Sequence, residues 1–258
     1  MLELIDYLAL TPAAARRQWA SISRRSPGHG QDFTPVETLL CYGLFFLLKP
    51  NSYGGSNMHR APPELHALAS TFRRTPASLL FKMCNLDGSR ANGARAEWKL
   101  FAALAAEPPR FDMLNAVALS AAREEGFAEQ DVPDFLGVLG GDTAFAGQEE
   151  LANVDLDAVV ASQVETHGHM LASDAKSTTR LLEMRIRVGQ SRFARSVLAN
   201  YGQACAFCGF APGPLRGQGL LVASHIKPWM ASDDKERLDP GNGLAASPSF
   251  RASTTSPS

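Results

Sequence analysis

Three times the chain sets a threonine directly before a proline at the head of an apolar, helix-periodic stretch: Thr11-Pro12, Thr34-Pro35 and Thr75-Pro76. A threonine hydroxyl accepts a hydrogen bond from a first-turn amide that has no partner within the helix. Proline costs nothing at the first helical position, where its missing N–H would have had no partner either. These pairs fix helix starts, with helical patterns over Ala13 to Ile22, from Thr34 into Leu48, and from Thr75 to about Asn85. Thr34-Pro35-Val36-Glu37 is also a capping box, in which Glu37 reaches back to the Thr34 amide. Helical periodicity continues over Glu64 to Ser70, Ala94 to Ala106 and Met113 to Glu125, with no convincing strand. The first 125 residues therefore read as all-α. Lys49 to Pro63, rich in Gly, Asn, Ser and Pro, reads as a long exposed loop.

The pattern changes in the second half. Gly137 to Ser173 lacks sustained periodicity and reads as a hinge; His167 and His169 within it, separated by one glycine and without a neighbouring cysteine, are given no role. Leu181 to Val188 alternates Leu182, Met184, Ile186 and Val188 against a face with Arg185 and Arg187, which is strand spacing. From Gln190 to Tyr201, Phe193, Val197, Leu198 and Tyr201 fall at helical spacings opposite Arg192 and Arg195, an amphipathic helix leading to Cys205. Leu220 to Ala223 is a short apolar run after Gly217 and Gly219, a strand that delivers Ser224 and His225 to its end. Asn242, between two glycines after Asp239-Pro240, sits on a bent loop able to return toward the histidine.

The chain has 258 residues, 45% of them hydrophobic, enough for a sizeable core in one large or two ordinary domains. Its net charge of -1 conceals segregation. From Glu124 to Glu165 there are eleven acidic residues and no Lys or Arg, whereas Lys176, Arg180, Arg185, Arg187, Arg192 and Arg195 face only Glu183. The partner-facing charge is thus local. Four cysteines do not make a disulfide framework, and the N-terminus has no signal-peptide pattern, so the expected location is cytoplasmic. The longest apolar run, Leu39 to Leu48, is too short for a bilayer and reads as a core helix, so no membrane partner is expected.

The Ala-Ser-His-Ile-Lys-Pro-Trp stretch at 223–229, followed by Asn242-Gly243-Leu244, resembles the HNH endonuclease family, in its branch of predicted restriction endonucleases. Arg187, Gly189, Gln190, Arg192, Phe193, Val197, Leu198 and Tyr201 resemble the lead-in of that branch, so the likeness covers about residues 185–248. Arg73 to Leu79, with Lys82 and Asn85, resembles the helical module that precedes it in the same enzymes. Arg73 and Arg74 before a capped helix suit phosphate contact, and equally a solvated helix start. The resemblance implies an α+β chain: an all-α domain over 1–136, a linker over 137–175, and a small ββα-metal (HNH) domain over 176–250. A low-complexity tail over 251–258 is expected to be disordered. It further implies a metal-dependent, restriction-like DNA endonuclease with His225 as general base. Asn242, and more weakly Ser224, would serve as metal ligands, Asn242 alternatively orienting the histidine. Mg or Mn is the implied ion.

DNA is the implied partner, contacted through Arg185, Arg187, Arg192, Arg195 and Lys227, and a homodimer is left open. Trp229 would pack the hairpin. Cys205 and Cys208 have zinc-knuckle spacing but no second pair, so structural zinc is not expected and both read as small buried residues. Where the family continues into a helix carrying a third motif residue, this sequence runs into the tail after Leu244. The expectation is a truncated or frame-shifted motif that binds DNA and cleaves poorly. Two rival readings follow: a DNA-binding protein with a degenerate HNH core, and a zinc-stabilised interaction module organised by the cysteine pair.

Overall fold

The structure is a computed structural model that describes residues 2–26, 31–90, 97–134, 137–139, 189–190, 192–212, 221–228, 231–233 and 236–247. These residues fall into two compact units, 2–139 and 189–247. The first is helical and the second holds an antiparallel two-stranded sheet, so the fold is α+β and mostly helical. Among the described residues no helix is long and apolar enough to cross a membrane. Arg185 and Arg187, the strand expected over Leu181 to Val188, Trp229, His167, His169 and the 251–258 tail lie outside the described residues.

In the helical unit the described helices are α1 (Leu4–Leu8), α2 (Pro12–Ser23), α3 (Pro35–Phe45), α4 (Pro63–Thr71), α5 (Pro76–Leu86), α6 (Glu97–Ala106) and α7 (Pro108–Glu124). Each threonine cap forms: Thr11, Thr34 and Thr75 accept from the amides of Ala14, Glu37 and Ser78 at 3.2, 3.3 and 3.2 Å. α3 is buried on every side, as befits a helix apolar all round. Its Tyr42 packs edge-on against Phe46, Phe101 and Phe111, with ring centroids 4.7–5.2 Å apart. α2 lies along α7, where the fully buried Trp19 donates its indole N–H to the Ala118 carbonyl at 2.8 Å. The stretch Lys49 to Pro63 is more ordered than its composition suggests, folding into 3₁₀ turns at Pro50–Ser52 and Gly55–Arg60. α7 starts earlier than the Met113 to Glu125 pattern, because Pro108 occupies its first turn and Phe111 is buried beneath it.

Glu37 does more than close its capping box. Its carboxylate is fully buried and accepts from the Thr34 amide at 2.9 Å, from Arg25 at 2.6 and 3.1 Å, and from Arg74 at 2.7 and 3.4 Å. Arg74 also donates to the carbonyls of Gln31 and Asp32 and lies over the Phe33 ring. Between the two readings of the Arg73-Arg74 pair, Arg74 is therefore neither phosphate-facing nor solvated; it is a buried brace. Lys82, carried in the same family-like segment, is likewise buried and paired with Glu97. Burial alone pushes the Glu37 carboxyl up, but the bonds from Arg25, Arg74 and the Thr34 amide together outweigh it and hold it below the ordinary value.

In the second unit a helix over 192–200 (α8) precedes a tight turn at 205–210 and the hairpin of β1 (Val222–His225) and β2 (Gly243–Ala246). The register pairs Val222 with Ala246, Ala223 with Ala245, Ser224 with Leu244, and His225 with Gly243. Sequence reading placed the first strand about two residues early and had no second strand after Leu244. A methyl at Gly243 would meet the Phe193 ring at 2.8 Å and strike Val197 as well, so β2 lies directly against α8. Strand alternation then puts Ala223, His225, Gly243 and Ala245 on the α8 side, and Val222, Ser224, Leu244 and Ala246 on the other.

Two outcomes follow from this packing. Glu37→Gln leaves two buried guanidinium groups without their carboxylate and is expected to cost about 3–5 kcal/mol in urea unfolding at neutral pH. Because the folded carboxyl is held low, its contribution is full above the unfolded value of about 4.3 and is lost as pH falls through the folded value. The variant should show no such loss in that acid window. Gly243→Ala forces α8 off the hairpin and is expected to destabilise the second unit by about 1–3 kcal/mol, read as earlier loss of amide protection across β1 and β2.

Candidate active site

His225 ends β1, half-buried, with its ring stacked flat on Phe193 of α8 at a centroid distance of 3.9 Å and an interplanar angle of 4°. Its Nε2 lies 3.1 Å from the Arg237 carbonyl oxygen. A carbonyl only accepts, so this contact requires the proton on Nε2 and places the lone pair of the neutral ring on Nδ1. Phe193 and the Arg237 carbonyl thus fix both the plane and the tautomer of the imidazole.

The chain leaves β1 at Ile226 and re-enters the hairpin through a 3₁₀ turn at Pro240–Asn242, where Asp239 caps the turn by accepting from the Gly241 amide at 2.8 Å. Asn242 closes this excursion. Its own carbonyl accepts from the Ile226 amide at 2.9 Å and its side-chain Oδ1 accepts from the Lys227 amide at 2.9 Å. Its Nδ2 donates to the Glu236 carbonyl at 3.2 Å and reaches Lys227 O and Ser232 Oγ at 3.5 Å. Every polar atom of the amide is turned into the loop. The Oδ1 that would ligate an ion already accepts from the Lys227 amide, and the side chain meets the loop carrying Arg237 through the Glu236 carbonyl. Ser224, the weaker metal candidate, lies one residue earlier and on the face away from α8.

Lys227 ion-pairs with Glu236 at 2.6 Å, both side chains being more than a third exposed. Its ammonium, with the Asp233 amide, holds the Glu236 carboxyl below its ordinary value. Arg192 and Arg195 are half-exposed on α8, the helix that carries Phe193. The structure thus gathers His225, Asn242, Lys227 and the α8 arginines into one unit. Among the described residues no group of three or more His, Cys, Asp or Glu side chains could hold a metal ion.

The residues that sequence reading left unassigned here are Glu236, Arg237 and Ser232. Their contribution is a backbone carbonyl or a short-range clamp, for which the chain carries no motif.

The cysteine pair differs from its expected burial. Cys205 is buried, but Cys208 is exposed. Gly209, at φ +68°, turns the chain so that Cys205 N–H donates to the Phe210 carbonyl at 2.9 Å, and Ala206 N–H ties the turn to Ala245 of β2 at 2.8 Å. The Cys205 thiol is brought down to about 6, chiefly by the Cys208 amide, against burial, with further help from the amides of Phe207 and Ser247 and from the Cys208 thiol. Burial drives the other two buried cysteines, Cys41 and Cys84, the opposite way. Comparison with protein-family models, with curated proteins and with solved structures finds no match to this chain.

Proposed function

We propose that the chain is an HNH-type endonuclease of the restriction class, acting on duplex DNA with His225 as general base. The observation that carries this reading is the setting of His225: half-exposed at the end of a hairpin, its tautomer fixed by the Arg237 carbonyl and its plane by Phe193. A neutral imidazole can act as general base toward water at physiological pH. In hydrolysis the His225 imidazole takes a proton from water as the water oxygen bonds to phosphorus. The bond from phosphorus to the departing sugar oxygen breaks, its electron pair stays on that oxygen, and solvent protonates it. Arg192 and Arg195 supply positive charge on the same unit. Lys227 exchanges Glu236 for phosphate at little cost, because an exposed ion pair screened by solvent contributes little.

Among the described residues the donor set for a resident Mg or Mn ion, which the resemblance implies, is incomplete. The Asn242 amide is turned into its loop, and Ser224 is a lone hydroxyl on the other face of the hairpin. This observation favours a second reading, a DNA-binding protein whose HNH core is catalytically impaired.

Plasmid nicking in Mg²⁺ or Mn²⁺, paired with a duplex-binding assay, tests both. On the first reading the chain nicks, and His225→Ala lowers the rate by about two to four orders of magnitude with binding unchanged. On the second the chain binds duplex and does not nick. Nicking that His225→Ala retains removes His225 from its role, and absence of binding refutes both readings. Replacing Arg192 and Arg195 by alanine is expected to flatten the salt dependence of binding by roughly 0.9 per lost phosphate contact. An unchanged slope would make them a solvated face.

A further inference from the structure

Between α1, the start of α2 and the residues that lead into α3, the helical unit carries an open groove of about 640 Å³. Most of its lining is apolar: Leu2, Ile5 and Ala9 stand on one side, Ala14 on α2, and Phe33 and Pro35 at the entry to α3. Ile5 is 59% exposed on this groove. The polar lining is Asp6, Asp32, Gln18 and Thr34, and no lysine or arginine is among the lining residues.

These polar groups keep capacity for a ligand. Asp6 accepts from the Glu3 amide through Oδ2 alone, at 2.7 Å. Asp32 is held by its backbone, whose carbonyl accepts from Arg74 at 2.9 Å, and its carboxylate has no hydrogen bond or ion pair among the described residues. Gln18 commits Oε1 to the Val36 amide at 3.0 Å, which leaves its Nε2 donor without a partner among the described residues. The cations beside Phe33 are already engaged: Arg74 and Lys82 lie 3.8 and 4.5 Å from its ring centre, and each is bonded to a buried carboxylate, Glu37 or Glu97. The negative field of the groove reaches into the fold. Burial and Glu97 raise the Tyr7 hydroxyl above its ordinary value, and Asp6 and Asp32 add to the rise.

An apolar trough with two carboxylates and no facing cation is complementary to an ammonium ion on an apolar body. The body takes the apolar lining out of water, and the charge meets the carboxylates. A neutral molecule of the same shape gains only the first contribution, and an anion is repelled. We propose that this groove binds an organic ammonium ion of the arylalkylamine class, its apolar body against Phe33 and Ala14 and its charge toward Asp6 and Asp32. Because Thr34 and Pro35 form one wall, the ligand seats against the start of α3. The site belongs to the helical unit and is independent of the nuclease reading.

The test uses the full chain and three probes of closely matched shape, phenethylammonium, phenethyl alcohol and hydrocinnamate, titrated calorimetrically at low ionic strength. The expected result is one phenethylammonium per chain, held about tenfold more tightly than the alcohol, with hydrocinnamate weaker still. The preference should shrink as salt is added, because exposed charges are screened. Asp6→Asn combined with Asp32→Asn keeps an acceptor for the Glu3 amide and should bring ammonium and alcohol to equal affinity, with an unchanged circular dichroism spectrum. Ala9→Trp, at an exposed position, fills the groove and should abolish binding of both. No binding of phenethylammonium, equal affinity for the three probes, a preference that survives the double asparagine variant, or binding that Ala9→Trp leaves intact would each overturn the proposal.

Discussion

A two-stranded hairpin is marginal by itself in water and needs something laid across one face. Here that partner is α8, and the approach is possible because residue 243 has no side chain to hold the helix away. The same contact brings Phe193 under His225, so the packing that lets the ribbon fold also sets the plane of the proposed base. Stability and site geometry in this unit are one interaction seen from two sides. The core there is small, comprising Phe193, Val197, Val222, Ala223 and Ala245, and its Phe193 ring is the one that stacks on the imidazole.

The helical unit is braced differently. Its apolar core is ample, yet a buried carboxylate and two guanidinium groups are threaded into it, tying α3 to the residues that follow α2 and α4. Such a cluster is costly to desolvate and damaging to break, so it specifies which segments meet more than it adds net stability. Arg73, at φ +57°, takes the left-handed turn that brings Arg74 inward.

What could be read from the chain was whatever is settled within a few residues. The threonine caps, the proline starts, the amphipathic α8 and the return of Asn242 toward His225 all depend on near neighbours or on a short loop. What could not be read depends on partners distant in sequence. Arg74 and Lys82 look like surface cations until Glu37 and Glu97, 37 and 15 residues away, take them inside. Asn242 carries an amide of a kind that can ligate an ion, and only the fold shows its Oδ1 accepting from the Lys227 amide. Cys208 reads as buried for want of a second cysteine pair, yet it is exposed in the turn that Gly209 closes. Gly243 read as a bend residue; its backbone is in fact extended, and its need for glycine comes from the helix resting on it.

The Asn242 clamp has one more consequence. The excursion from Lys227 to Asn242 leaves and returns at two residues bonded to each other, so its closure is made at its own base. Closing a longer loop costs only about 0.6 kcal/mol per doubling of length. The entropic cost is small, but Arg237, whose carbonyl holds the imidazole, lies inside the excursion, so a change of length there is constrained by that contact. Loop length and the orientation of the His225 ring are thus coupled through one backbone carbonyl.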